Sequence, residues 1–167
     1  MNIVIIGTGY VGLVTGVGLA SLGNVVNFID LDENKIKDLS SKKITFYEPG
    51  LEEYFNDDET FKRMSFSSDY ASIEWDNIDI VFVCVQTPNN IETNSVDTKF
   101  LESAIKEINN VSNEDLVITV KSTIPPYEIE KVCEKVGMDS SKLTFNPEFL
   151  REGTAVEDFF KPDRIVL

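Results

Sequence analysis

The chain contains no histidine and only two cysteines, and each shortage removes a class of chemistry. Without histidine, proton transfer must rely on carboxylates, lysine, hydroxyl groups or water, because the commonest general base is absent. Cys84 lies inside an apolar run, which predicts a buried side chain, and Cys133 lies in a predicted helix. Neither cysteine has the spacing of a metal ligand, and a disulfide is not expected in a cytosolic chain. The sequence therefore predicts no metal site.

Long hydrophobic runs and positive charge are also scarce. No apolar run approaches the roughly 20 residues of a membrane span, and no basic segment precedes the first predicted strand as in a secretion signal. The net charge is −14, from 15 basic and 29 acidic side chains, which disfavours nucleic acids and anionic membranes as partners. The length of 167 residues suits a single domain. We therefore expect a cytoplasmic domain with no nucleic-acid or membrane partner.

A glycine-rich turn near the N-terminus is the most informative pattern that is present. Apolar residues at 3–6 lead into Gly7-x-Gly9-x-x-Gly12, and a helical pattern follows. A strand, this turn and a helix form the fingerprint of a dinucleotide-binding unit. Gly7 would allow the tight bend, Gly9 would let a pyrophosphate approach the backbone, and Gly12 would let the helix lie close to the strand. The alternative is a turn that needs glycine only for packing.

The second predicted strand, at 25–29, ends in Asp30, where the fingerprint requires an acid. A carboxylate there can accept hydrogen bonds from the adenosine ribose and would repel a 2′-phosphate, and no arginine lies between Leu31 and Lys35. The sequence therefore predicts NAD, not NADP, as the cofactor. The alternative is that Asp30 caps a helix or turn, a role for which Asp32 competes.

Strand and helix patterns alternate along the whole chain. Strands are predicted at 2–6, 25–29, 64–67, 78–85, 116–121, 143–145 and 164–167, and helices at 11–21, 33–39, 51–56, 70–75, 98–109, 127–136 and 154–159. The continuous apolar strands imply burial on both faces. With right-handed crossovers, we expect an α/β fold: a doubly wound, mostly parallel Rossmann-type sheet with helices on both faces.

Polar segments follow several predicted strands, and we expect them to meet at one edge of the sheet. The first is Thr87-Pro88, which lies within a polar loop at 86–97. The other two are the segments at 121–125 and at 146–154. The last contains Glu148 and Glu152, which would share a face if a helical turn begins there, and could order a water or act as a general base.

The alternative for this carboxylate pair is structural. Glu152 would form a solvated ion pair with Arg151, and Glu148 would cap a turn after Pro147. The spacing alone leaves both interpretations open.

Five motifs in order resemble the UDP-glucose/GDP-mannose dehydrogenase family over essentially the whole chain. They are Gly-Thr-Gly-Tyr-Val-Gly-Leu (7–13), Tyr-Glu-Pro-Gly-Leu (47–51), Thr-Pro (87–88), Lys-Ser-Thr-Ile-Pro (121–125) and Asn-Pro-Glu-Phe-Leu-Arg-Glu-Gly-Thr-Ala (146–155). Tyr47 favours the branch that oxidises UDP-glucose over those that use GDP-mannose or UDP-N-acetylhexosamines. The resemblance implies oxidation of a C6 alcohol to a carboxylate, here UDP-glucose to UDP-glucuronate, with two uses of NAD and a cysteine-bound thiohemiacetal and thioester.

The resemblance also implies roles for individual residues. Around the cofactor it places the turn glycines with Tyr10 and Val11 at the pyrophosphate, Asp30 and Lys35 at the adenosine ribose, and Thr87, Thr123 and Glu152 near the nicotinamide. Thr123 and Glu152 would also hold the catalytic water, and Glu148 would serve thioester hydrolysis. The substrate site would be lined by Glu148, Phe149, Leu150, Arg151 and Glu152. The alternatives are a solvated helix lysine for Lys35 and an N-cap before Pro125 for Thr123.

One part of the family pattern is missing from the sequence. The nucleophilic cysteine, its lysine and asparagine partners, the central helix and most of the sugar-nucleotide domain would follow residue 167, and neither Cys84 nor Cys133 matches that cysteine. The apolar run at 164–167 looks like a cut through an element. The resemblance thus implies an NAD-binding domain, 1–167, of a longer homo-oligomeric enzyme, inactive alone. The alternative is a nucleotide-binding module without chemistry.

Overall fold

The computed structural model describes residues 1–90, 95–112 and 116–167. The strands are β1 (Asn2–Ile6), β2 (Val25–Ile29), β3 (Met64–Ser67), β4 (Ile80–Val83), β5 (Asn89–Asn90), β6 (Ser95–Val96), β7 (Val117–Val120) and β8 (Leu143–Phe145). The helices are α1 (Tyr10–Ser21), α2 (Glu33–Ser40), α3 (Leu51–Asn56), α4 (Asp58–Phe61), α5 (Lys99–Val111), α6 (Pro126–Val136) and α7 (Ala155–Phe160).

Six of the strands form one parallel sheet in the order β3-β2-β1-β4-β7-β8. The chain runs outward from β1 in one direction through β2 and β3, and in the other direction from β4 through β7 and β8. The strand order therefore reverses between β1 and β4, where Ile6 pairs with Val83. Ligands of such sheets bind at the carboxyl ends of the strands beside this reversal. The predicted doubly wound Rossmann-type fold is confirmed.

Two hydrophobic clusters cover the two faces of the sheet. Val4 belongs to the cluster that includes Ile105 of α5, whereas Ile5 belongs to the cluster that includes Leu13 of α1, and all four residues are fully buried. Neighbouring strand residues point to opposite faces, so a strand covered on both sides must be apolar throughout. This explains the unbroken apolar run of β1. In the described ranges, no helix is long and apolar enough to cross a bilayer.

Two predicted elements are wrong. Residues 164–167 form no strand: Ile165 and Leu167 are 73% and 84% exposed, and the Val166 carbonyl accepts a hydrogen bond from the Asn146 side chain. An apolar run becomes a strand only where a neighbouring backbone can pair with it. The predicted helix at 70–75 is replaced by two 3₁₀ turns, Tyr70–Ser72 and Trp75–Asn77.

The polar loop predicted at 86–97 contains the antiparallel pair β5–β6. Its middle, residues 91–94, lies outside the described residues. Helix α4 was not predicted. It begins because the Asp57 carboxylate accepts a hydrogen bond from the Thr60 amide, 2.8 Å away, which caps the first turn.

Candidate active site

The glycine-rich turn is packed between the ends of its neighbouring strands. Gly7 has φ +93°, and a Cβ atom there would lie 2.7 Å from the Cys84 carbonyl oxygen, so both its conformation and its surroundings require glycine. The Gly7 amide donates to the Ile29 carbonyl at 2.8 Å. The turn is thus fixed at the strand-order reversal.

The space in front of the turn is open. A Cβ atom on Gly9, the N-cap of α1, would meet nothing within 4 Å, and no side chain caps the helix. The first amides of a helix have no partner within it and carry the positive end of its dipole, so an anion is favoured there. A Cβ atom on Gly12, by contrast, would collide with the Gly7 carbonyl oxygen. The geometry fits a pyrophosphate against the backbone of this turn.

Asp30 lies beside the turn and already holds three hydrogen bonds. Its Oδ2 accepts from the Thr8 amide at 2.8 Å and the Thr8 hydroxyl at 2.7 Å, and its Oδ1 accepts from the Asp32 amide at 3.0 Å. A carboxylate has about four acceptor positions, so roughly one stays free for a ribose hydroxyl. Asp32, and not Asp30, is the N-cap of α2, so the capping role given as the alternative for Asp30 belongs to Asp32.

The Asp30 carboxylate is held in its charged form. Burial alone raises the pKa of Asp30, but the hydrogen bonds from Asp32 and Thr8 and the Lys35 ammonium outweigh burial and lower it overall. The Lys35 Nζ lies 3.7 Å from Asp30 Oδ2. Lys35 therefore forms an ion pair with Asp30 and is not an isolated solvated lysine.

A cavity of about 790 Å³ joins the turn to Asp30 and Lys35. Its walls include Gly7, Gly9, Tyr70 and Phe100. The volume is in the range of small-molecule sites, which run from about 300 to 1,000 Å³. Four of the ten residues that the sequence assigned to the cofactor therefore line one space, and the other six do not: Tyr10, Val11, Gly12, Thr87, Thr123 and Glu152.

A second cavity, of about 570 Å³, lies on the opposite face of the sheet, where it is lined by Thr15 of α1, while Phe100 of α5 lines the first cavity. Four residues predicted for the substrate line it together: Glu148, Phe149, Leu150 and Arg151. The structure thus places four predicted cofactor residues around one cavity and four predicted substrate residues around another, while Glu152, predicted for both sites, lines neither.

Thr87 and Thr123 join the ends of β4 and β7. The Thr87 hydroxyl donates to the Thr123 carbonyl at 3.0 Å, and nearby the Ser122 hydroxyl donates to the Val85 carbonyl at 2.6 Å. The Thr123 side chain is exposed and caps no helix, since Pro125 is the N-cap of α6.

Lys121 is a buried cation beside the second cavity, and sequence reasoning gave it no role. Its Nζ donates to Asn146 Oδ1 at 3.0 Å, which ties the end of β7 to the end of β8. Burial lowers the pKa of Lys121, while Cys84 and Glu148 act in the opposite direction. Burial raises the pKa of the Cys84 thiol to about 12. The Cys84 side chain is only partly buried, and a thiol with so high a pKa is a poor nucleophile.

The carboxylate pair does not share a helical face. Residues 146–151 are irregular, and α7 begins only at Ala155, so the helical turn on which a shared face would depend does not form. Glu148 Oε2 accepts a hydrogen bond from the Leu150 amide at 2.6 Å, as in the capping alternative. The Glu152 side chain is exposed and forms no hydrogen bond to any part of the chain that the structure describes.

Arg151 pairs with Asp158, so the expected alternative of an Arg151–Glu152 pair is wrong. Its Nη2 lies 2.6 Å from Asp158 Oδ1, and its Nε lies 3.1 Å from Oδ2. The Arg151 hydrogen bonds lower the pKa of Asp158 to about 2.

Glu48 is a second residue that sequence reasoning missed. Its side chain is only 4% exposed, and it accepts hydrogen bonds from the Tyr10 hydroxyl at 3.1 Å and from the Gly153 and Ala155 amides at 2.8 Å each. The Tyr10 ring packs on Phe46, and its pKa is raised by burial and by Glu48. The available signal was an acid inside a recognised motif, Tyr47-Glu-Pro-Gly-Leu51.

In the described residues, no group of three or more histidine, cysteine or acidic side chains could hold a metal ion.

Comparison with known proteins gives the family. Residues 1–167 match the NAD binding domain of the UDP-glucose/GDP-mannose dehydrogenase family. The UDP-glucose 6-dehydrogenase of Rickettsia prowazekii is 40% identical over 169 residues, an alignment that covers all of this chain and 38% of that protein. The chain therefore spans about two fifths of the length of this relative. The family match identifies the cofactor as NAD.

Two solved structures have the same fold. A UDP-glucose dehydrogenase from Pyrobaculum islandicum has a TM-score of 0.84 and 35% identity, over 98% of this chain and 39% of its own. A GDP-mannose dehydrogenase from Pseudomonas aeruginosa, solved as a ternary complex, has a TM-score of 0.86 and 29% identity, over 99% of this chain and 40% of its own.

Proposed function

Because the chain belongs to the UDP-glucose/GDP-mannose dehydrogenase family, we propose that it is the NAD-binding domain of an enzyme that oxidises UDP-glucose at C6 to UDP-glucuronate. The observation that carries the proposal is the open face of Gly9, set between Asp30 and the strand-order reversal. When bound, NAD supplies the hydride acceptor of both oxidation steps.

The residues of the turn have distinct tasks at the cofactor. Gly7 and Gly12 set the backbone, and the amides after Gly9, including those of Tyr10 and Val11, bind the pyrophosphate. Asp30 uses its free acceptor position for the adenosine ribose, and Lys35 keeps that carboxylate charged and adds a donor. The carboxylate would repel a 2′-phosphate, which explains the use of NAD.

The residues at the far edge serve the sugar nucleotide. Glu148 and Arg151 line the substrate cavity with Phe149 and Leu150, while Thr123 and Glu152 hold a water near the nicotinamide, beside Thr87. Glu148 acts on that water in hydrolysis of the thioester. Lys121 lines the same cavity as a buried cation, and its positive charge interacts with Glu148.

The rest of the catalytic machinery belongs to the remainder of the protein. The chain covers 38% of a curated relative, and the Cys84 thiol, with its pKa raised to about 12, is a poor nucleophile. We therefore propose that residues 1–167 bind NAD without turnover, and that the complete enzyme is a cytoplasmic homo-oligomer whose further domain contributes the cysteine.

Formation of NADH tests the proposal. The complete protein is given NAD and UDP-glucose, and we expect the absorbance of NADH to rise by two equivalents per sugar oxidised. Residues 1–167 alone should bind NAD and form no NADH. Steady turnover by this part alone would contradict the proposal that oxidation requires the further domain.

A second substrate deserves a parallel assay, because the Pseudomonas aeruginosa GDP-mannose dehydrogenase shares the fold with a TM-score of 0.86. GDP-mannose and a UDP-N-acetylhexosamine are therefore compared with UDP-glucose at equal concentration. A higher kcat/KM for either would move the enzyme to that branch of the family.

A further inference from the structure

We propose that Glu48 is a positioning residue that fixes the substrate loop, defined here as residues 151–155, relative to the start of α1. The inference rests on the function proposed above, because the loop carries Arg151 and Glu152. Glu48 touches neither ligand in this scheme; it acts through the backbone of the loop.

The contacts of Glu48 join two parts of the chain that are distant in sequence. Its Oε1 accepts from the Ala155 amide, and its Oε2 accepts from the Gly153 amide, each at 2.8 Å across more than 100 residues. The same Oε2 accepts from the Tyr10 hydroxyl at 3.1 Å. Tyr10 is the first residue of α1 and follows Gly9 directly. One carboxylate thus links the phosphate turn to the substrate loop.

Burial makes this link strong. Glu48 is 4% exposed, and a buried carboxylate is tolerated only when hydrogen bonds replace its lost hydration. The two backbone amides and one hydroxyl provide this replacement. Hydrogen bonds to a charged acceptor are shorter and roughly twice as strong as neutral ones, so the loop is held firmly.

The link also determines where α7 begins. Ala155 is the first residue of α7, and Thr154, its N-cap, makes no side-chain cap hydrogen bond. Glu48 instead satisfies the Ala155 amide from outside the segment. At the other end of α7, Phe159 packs so tightly on Gly18 of α1 that a Cβ atom there would collide with its ring. The helix after the loop is therefore anchored at its first residue by Glu48 and near its last residue by α1.

The phosphate turn does not depend on Glu48 in the same way. Three hydrogen bonds hold its backbone: the Gly7 amide donates to the Ile29 carbonyl, the Leu13 amide to the Gly9 carbonyl, and the Thr8 amide to the Asp30 carboxylate. Loss of the Glu48 carboxylate should therefore disturb the substrate loop while the NAD site stays formed. This difference separates a positioning role from a general contribution to stability.

The test compares Glu48→Gln with two other variants of the complete protein. Glutamine keeps the shape of the side chain but presents an NH₂ group to one of the amides. Tyr10→Phe removes only the phenol contact and leaves both amide contacts. Glu52→Gln neutralises an exposed acid in nearby α3 and serves as the matched control.

Two measurements are made on each variant: hydrogen exchange of residues 150–156 by mass spectrometry, and the affinities for NAD, UDP-glucose and GDP-mannose by calorimetry. For Glu48→Gln we expect exchange at Gly153 and Ala155 to become faster, and binding of the sugar nucleotide weaker, each on the order of 10- to 100-fold. NAD affinity should stay within about twofold of native. Tyr10→Phe should accelerate loop exchange less, and Glu52→Gln should change nothing.

Unchanged loop exchange and unchanged sugar-nucleotide affinity in Glu48→Gln would overturn the proposal. A parallel loss of NAD affinity and melting temperature would also overturn it, because the role would then be structural. If the native protein binds neither sugar nucleotide, the proposed function fails, and the exchange measurement alone decides whether Glu48 fixes the loop.

Discussion

Replacement of Gly9 by alanine should weaken NAD binding without unfolding the protein. Gly9 has φ −71° and ψ −171°, which any residue adopts, and a Cβ atom there would meet nothing within 4 Å. The methyl group would instead occupy the space in front of the turn. The site is thus one where the effects on folding and on binding can be separated.

Two small effects of opposite sign act on the stability of Gly9→Ala. Reduced freedom of the unfolded chain stabilises the protein by about 0.4–1 kcal/mol. Alanine is a poorer N-cap than glycine, which costs roughly 0.5–1.5 kcal/mol. The net change is therefore within about 1 kcal/mol, or roughly 4 °C in melting temperature for a domain of this size.

The effect on binding is larger because a phosphate must approach the backbone. Forcing one methyl group into a closely packed contact costs about 1–3 kcal/mol. The affinity for NAD should therefore fall roughly 5- to 150-fold. Calorimetric titration with NAD measures the affinity, and scanning calorimetry of the same sample measures the melting temperature.

Gly12→Ala provides the contrast. Its Cβ atom would collide with the Gly7 carbonyl oxygen and approach Cys84 Cβ to 3.2 Å, so this variant should lose stability as well as NAD affinity. A folded Gly9→Ala protein that binds NAD within twofold of native would refute the reasoning, since the phosphates would then lie elsewhere.

Further predictions concern single side chains. Asp30→Ala should weaken NAD binding by roughly 1.5–3 kcal/mol and reduce the preference for NAD over NADP. An unchanged NAD affinity in this variant would exclude the ribose role of Asp30. Glu148→Gln in the complete enzyme should slow thioester hydrolysis about 10²–10⁴-fold with NAD affinity retained, whereas an unchanged rate would leave Glu148 as a cap. The pKa of Asp158 is lowered to about 2 from 3.8, so its pairing with Arg151 stabilises the fold at pH values above 3.8 and is lost as the pH falls through 2. The melting-temperature difference between native and Asp158→Asn should shrink over that window; a constant difference would contradict it. Cys84, with a pKa of about 12, should react with thiol reagents at neutral pH far more slowly in the folded than in the unfolded protein, and equal rates would show that it is accessible.

Local patterns were read correctly from the sequence. Strand β1, the turn at Gly7 and helix α1 are specified by neighbouring residues, because apolar periodicity and glycine conformation are local properties. The carboxyl-edge location of Thr87, Thr123 and Glu148 followed from the parallel topology. These features depend on short-range chemistry and on one general rule of sheet connection.

The misread features depend on distant contacts. Residues 164–167 are apolar enough for a strand, yet a strand requires a neighbouring backbone, which local pattern does not report. A helical turn over Glu148 and Glu152, the condition for a shared face, does not form. Helix α7 begins at Ala155, whose amide donates a hydrogen bond to Glu48, 107 residues away in sequence. Burial of an acid with three donors around it is a property of the folded chain, so a single sequence does not reveal it.

The most direct measurement is a crystal structure of the protein with NAD bound. The account predicts both phosphates within about 3.2 Å of backbone amides in the turn at 9–12, with an adenosine ribose hydroxyl on Asp30. Coenzyme bound in the cavity beside Arg151, or phosphates that contact no amide of the turn, would contradict it.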